Sequence, residues 1–178
     1  MRRSLAFVLA ALTAITVTGC RSAASRHTYL LIPDESLAAQ AETKARIRVT
    51  SISLPVYLSR RELVRLVDKD ELKTVSNVML AETLDSSVRS VLEQNFARLS
   101  AAEGVAWNVR FEFRHLELTD HGTVRLEAVV RADGVSEMQK VFAFETPLAG
   151  QAHAVRAYSA ALAELSKQVV QWLSAQHG

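Results

Sequence analysis

The feature that most restricts the fold is a change of hydrophobic period between residues 99 and 107. Up to that point Leu84, Val88, Val91, Leu92, Phe96 and Leu99 recur at steps of three and four, with Arg89, Glu93 and Arg98 off the stripe. Such spacing puts one apolar stripe on a helix over 81–99. Beyond it Trp107, Val109, Phe111 and Phe113 alternate with Asn108, Arg110, Glu112 and Arg114, the period of a half-buried strand. Val124, Leu126, Ala128 and Val130 repeat the alternation, Asp133-Gly134 signals a tight turn, and "MQKVFAFE" at 138–145 supplies a third strand. Residues 105–146 therefore read as an antiparallel meander. A second helical stripe follows through Val155, Tyr158, Leu162, Leu165, Val169 and Trp172. A sheet with one apolar face needs a cover, and two amphipathic helices supply one. The expected fold is α+β: an antiparallel sheet with both helices packed on one face.

Upstream, "YLLI" at 29–32 reads as a short strand ended by Pro33, and 34–45 as a loop or weak helix. Ile47 and Val49 are out of phase with Ile52 and Leu54, which predicts a strand with a bulge near Ser51, stopped by Pro55. The segment 62–75 reads as a hairpin around Asp68-Lys69-Asp70-Glu71, with a single helix as the alternative. With 178 residues, 3 prolines and 6 glycines, one domain with short loops accounts for the chain.

The first twenty residues are of another kind. Arg2-Arg3 precede an uncharged, mostly apolar run from Leu5 to Val17, too short to span a bilayer but suited to the apolar region of a secretory signal peptide. A buried core helix is the alternative; the run has no polar face to support it. Val17-Thr18-Gly19-Cys20 resembles a bacterial lipobox: an aliphatic residue, two small ones, then the cysteine that becomes the new N-terminus. Small side chains let a peptidase hold extended backbone, and the thiol accepts a diacylglyceryl group as a thioether. Cys20 is the single cysteine, so an internal disulfide is excluded, and left unmodified it would be a reactive thiol in an oxidising compartment. Acyl chains contribute about 0.8 kcal/mol per buried methylene, and more than one, palmitate-like, chain makes the anchor effectively permanent. Arg21 rather than an aspartate follows the cysteine, which points to the outer membrane. The expected organisation is a signal peptide at 1–19, a lipidated N-terminus and tether at 20–28, and one α+β domain at 29–178.

Arg2 and Arg3 also account for the whole formal charge of +2, so the remaining chain is balanced and gives no electrostatic footprint for nucleic acid. There is no phosphate-binding G-x-x-x-x-G-K-[ST] loop, no G-x-S-x-G elbow and no H-E-x-x-H pair. "HLELTDH" at 115–121 is the best metal candidate: His115 and Glu117 share a strand face, with Asp120 and His121 in the next turn. A polar turn at His121-Gly122 explains the same residues without a metal, and that reading is preferred. His27, His153 and His177 are isolated. The chain is expected to be non-catalytic, without cofactor or metal.

"YLL" at 29–31, "IRVTSISLPVYLSRRELV" at 47–64 and "MLAETLDSSVRSVLEQNFARL" at 79–99 together resemble the PqiC-type auxiliary lipoproteins of ABC transport systems that work with MCE-domain proteins. Leu54-Pro55, Tyr57-Leu58 and Arg60 match that family's L-P-x-Y-L-x-R segment; Ala81-Glu82 and Leu84 match its helix opening, with Leu80 where tryptophan is common. The resemblance implies a periplasmic, non-enzymatic part of a lipid-transport or envelope-integrity system, held at the outer membrane by Cys20 and docked on an MCE-domain partner, with self-association left open. It nominates Pro55, Tyr57, Leu58 and Arg60 for docking; a strand exit whose Tyr and Leu pack inside fits the same residues. The alternative function is a stand-alone structural or assembly lipoprotein of the envelope.

Overall fold

The computed structural model describes residues 27–40, 45–68, 71–100, 105–134, 136–148 and 154–176. Cys20 and the whole signal segment lie outside them. Seven strands form one sheet among the described residues: β1 (His27–Tyr29), β2 (Ala45–Ser53), β3 (Glu62–Val67), β4 (Glu71–Leu80), β5 (Val105–Thr119), β6 (Thr123–Asp133) and β7 (Glu137–Pro147). Two α-helices among the described residues, α1 (Leu84–Leu99) and α2 (Ala154–Ser174), complete the α+β fold.

The meander is present as β5-β6-β7 and the hairpin as β3-β4, both antiparallel. The sheet as a whole is mixed, which corrects the expectation of purely antiparallel pairing. β2 and β3 both run parallel to β5 along the same edge, β2 beside Val105–Glu112 and β3 beside Leu118–Thr119, and β1 runs parallel to β4. The reason lies in the connection 54–61: it carries the chain forward past the middle of β5 instead of reversing it. β1 ends at Tyr29, short of the expected 29–32, because the chain turns there to seat Leu31 in the core.

Both helices cover one face of the sheet. The α1 stripe foreseen from spacing is buried at all six positions, and Phe96 stacks on Phe111 with ring centroids 5.8 Å apart. In α2 Tyr158, Leu162, Leu165 and Val169 are buried, and the half-buried Trp172 meets Phe142 edge-on at 5.8 Å. Where the helices touch, Asn95 Nδ2 donates to Ser166 Oγ at 3.3 Å, and Ser166 Oγ donates to the Leu162 carbonyl at 2.7 Å. Buried polar groups need such partners, so this link fixes the pairing of the helices.

Three bulges shape the sheet. In β2 the register shifts between Val49 and Ser51, where the phase change was read, and Thr50 Oγ1 donates to the Val109 carbonyl at 3.1 Å. In β5 it shifts between Phe113 and His115. In β4 the residues between Thr74 and Met79 bow out, with Asn77 in the left-handed region at φ 64°.

Candidate functional site

The nominated segment fills a gap in the sheet. Between Glu112 and Leu118 no strand among the described residues pairs with the β2/β3 edge of β5, and the connection from Leu54 to Arg61 passes there. Pro55, with φ −54°, starts a single 3-10 turn over Val56–Leu58. Leu58 N–H donates to the Pro55 carbonyl at 2.9 Å and Ser59 N–H to the Val56 carbonyl at 3.1 Å. A turn this short presents its three side chains in different directions. Leu58 enters the core at 1% exposure, Tyr57 is half-buried, and Val56 stands 89% exposed.

Tyr57 is held by Glu117. Its hydroxyl donates to Oε2 at 3.1 Å; the same oxygen accepts the Leu116 backbone N–H at 2.8 Å, and His115 Nδ1 lies 2.7 Å from Oε1. Glu117 itself is 1% exposed. A carboxylate buried that deeply is tolerable only with both oxygens engaged, and here both are. Burial, with the neighbouring Glu117 charge second, pushes the Tyr57 hydroxyl up to about 12 from its ordinary 10, so it stays a donor.

The β5 bulge creates this site. Strict alternation from Trp107 to Phe113 would aim His115 and Glu117 at the helices. The extra residue Arg114 reverses the phase, so Leu116 and Leu118 enter the core opposite Leu126 and Val124. His115 and Glu117 then fall on the other face, opposite Glu127 and Arg125. The signal was legible: apolar residues sit at odd positions up to Phe113 and at even ones from Leu116.

The four residues weighed as metal ligands divide into two pairs. His115 and Glu117 join the Tyr57 network, whereas Asp120 and His121 form a separate exposed pair 3.3 Å apart on the β5–β6 turn. Among the described residues no group of three or more His, Cys, Asp or Glu side chains is placed to hold a metal ion.

Arg60 and Arg61 lock the far end of the segment. The Arg60 carbonyl accepts the Leu84 N–H at 2.9 Å, serving one of the free amides at the α1 N-terminus. The Arg61 carbonyl accepts Leu80 N–H at 2.7 Å while its Nε donates to the Leu80 carbonyl at 2.9 Å. Of the four nominated residues, then, Leu58 and Tyr57 are structural pegs, Pro55 starts the turn, and the Arg60 side chain is exposed. The residue most offered to a partner is Val56, between them.

Elsewhere an open cleft of about 720 Å³ lies beside the bowed part of β4. Tyr29, Arg65, Asn77, Leu118, His121 and Val155 are among its walls. Among the described residues no helix is long and apolar enough to cross a membrane.

These observations define a single-layer-covered sheet domain that presents a rigid surface segment. The chain belongs to the ABC-type transport auxiliary lipoprotein component family, whose pattern matches residues 29–170. Two solved structures share the fold. One, described as an uncharacterized protein, is 14% identical, with a TM-score of 0.68, covering 84% of this chain and 99% of its own. The other, protein XCC0632 from Xanthomonas campestris, described as DUF330, is 13% identical, with a TM-score of 0.60 and coverage of 83% and 95%. No curated protein is significantly similar to the chain.

Proposed function

We propose that this chain is the outer-membrane-anchored, periplasmic and non-catalytic auxiliary lipoprotein of an MCE-type ABC lipid-transport system, and that it docks the MCE-domain partner through the turn at Pro55–Arg60. Family membership across residues 29–170 supports the transport role. The observation that carries the docking surface is the contrast within one turn: Val56 is 89% exposed while Leu58 beside it is 1% exposed. An aliphatic residue on a turn held by its own backbone hydrogen bonds can be desolvated by a partner with little ordering cost. Arg60, exposed at the rim, supplies orientation. Cys20, acylated after removal of residues 1–19, supplies the anchor. Movement of lipid and nucleotide hydrolysis then belong to other subunits.

The test is photo-crosslinking in intact cells from a reactive side chain at position 56, with position 139 as control. Capture of an MCE-domain protein from 56 and not from 139 is expected. Equal or no capture from position 56 removes the docking assignment. Intact-mass analysis of Cys20 tests the anchor separately, and an unmodified thiol refutes it. Envelope defects that persist in cells lacking the transporter would favour the stand-alone structural role.

A further inference from the structure

The stretch after β1 crosses from the sheet edge to the helices with an unusual exposure pattern. Leu31 is 8% exposed and sits in the core, whereas Leu30 and Ile32 on either side are 61% and 60% exposed. Its two ends are fixed. Ala81 N–H donates to the Tyr29 carbonyl at 2.8 Å, and Ile32 N–H donates to Ser159 Oγ on α2 at 3.3 Å. With Leu31 as a peg between these bonds, the two aliphatic side chains cannot turn inward without breaking the attachment. Exposed aliphatic residues taken singly need no explanation; a rigid pair at this place does.

The place is set by the anchor. His27 follows Cys20 by seven residues, which span at most about 25 Å when fully extended. The bilayer that takes acyl chains on Cys20 is thus within one short tether of the pair. Acyl chains on a tether hold a domain at a membrane without deciding which side faces it. Exposed Arg61 is bonded through Nε to Leu80, the register partner of Tyr29, and exposed Arg156 stands one helical turn before Ser159, which holds Ile32. Glu35, three residues after Ile32, and Glu82, next to Ala81, are exposed as well, so the charges on these attachments balance and the apolar side chains decide the contact.

We propose that Leu30 and Ile32 form a bilayer-contact pair, seated in the interfacial layer of the membrane that holds the anchor, and that they fix the domain's orientation on it. This rests on the reading of Cys20 as the acylated residue. Orientation matters because Tyr29 and Arg60 are both bonded to the 81–84 connection. Seating the pair therefore also sets where the Pro55–Arg60 turn points.

The test uses the full-length acylated protein in vesicles of phosphatidylethanolamine and phosphatidylglycerol. Acylation of the single cysteine leaves no native free thiol. Leu30→Cys, Ile32→Cys and, as control, Val141→Cys can each carry an environment-sensitive fluorophore, with unchanged thermal unfolding as the folding check. Quenching by spin-labelled lipids at least about twofold greater at 30 and 32 than at 141 is expected. Vesicle flotation with quenching equal to the control overturns the proposal while leaving the anchor intact. An unmodified Cys20 and no flotation overturn both. Probes at 30 and 32 that stay unquenched by lipid but become shielded on adding a purified protein partner would make the pair a protein interface and overturn the membrane assignment.

Discussion

Tyr57 and Glu117, sixty residues apart in sequence, are joined by a 3.1 Å hydrogen bond across the gap between β2 and β3. The bond ties the exposed turn to the central strand. It also gives the buried carboxylate a third partner: the same oxygen accepts the Leu116 amide, which neither β2 nor β3 pairs, and the other oxygen lies beside His115 Nδ1.

Removing either partner should cost unequally. Tyr57→Phe deletes one donor to a charged group and should destabilise by about 1.5–3 kcal/mol. Glu117→Ala leaves the Leu116 amide and the Tyr57 hydroxyl without their acceptor and should cost more, about 3–4 kcal/mol. Urea unfolding of both variants and their double mutant measures this. Simple additivity in the cycle would show that the two residues do not interact.

The same bond sets an alkaline limit. The folded Tyr57 hydroxyl titrates near 12 and the unfolded one near 10. Burial pushes Tyr158 up as well. Both favour the neutral form in the folded state, so their contribution is complete below pH 10. Above that the unfolded chain gives up its protons first and stability falls as pH rises towards 12. Unfolding free energies at pH 8, 10 and 11.5 should be flat and then decline, with a shallower decline in Tyr57→Phe. A slope unaltered in that variant would assign the effect to other groups.

At the β6–β7 turn Gly134 lies against Trp107. A Cβ at position 134 would come within 2.4 Å of the buried indole. Gly134→Ala should therefore displace the ring and cost about 1–3 kcal/mol, the usual range for overpacking a core. For a chain of this size that is a fall in Tm of roughly 2–12 °C. Calorimetry with near-ultraviolet circular dichroism of the tryptophan band reads both effects; an unchanged Tm would contradict the packing.

Asn77 has φ 64° inside β4, a conformation that costs most residues about 1–2 kcal/mol and glycine nothing. Asn77→Gly should leave stability within about 0.5 kcal/mol or raise it. Asn77→Val, branched at Cβ, should lower it by about 1–3 kcal/mol. If valine were tolerated as well as glycine, the left-handed geometry would be wrong.

Much of the architecture was readable from spacing. Six α1 positions, the β5–β7 meander, the β3–β4 hairpin and the β2 bulge were all foreseen. Each rests on a local pattern in which every residue's face follows from its neighbours. The segment Pro55–Arg60 was legible as a candidate, but the division of labour inside it was not. Whether Tyr57 faced a partner or the interior depended on what lay behind it, and that is Glu117. Leu30 and Ile32, read as part of a strand, lie outside β1, because one buried leucine between them turns the chain.

By itself the sequence determined which segments are helix and strand and which face of each is apolar, since periodicity is a property of neighbouring residues. Only the tertiary structure decided that β2 and β3 share one edge of β5, and that Glu117 meets Tyr57 in the space between them. Both outcomes depend on strand register. Register is set by bulges and by the path of connections, which bring together residues that no local period relates.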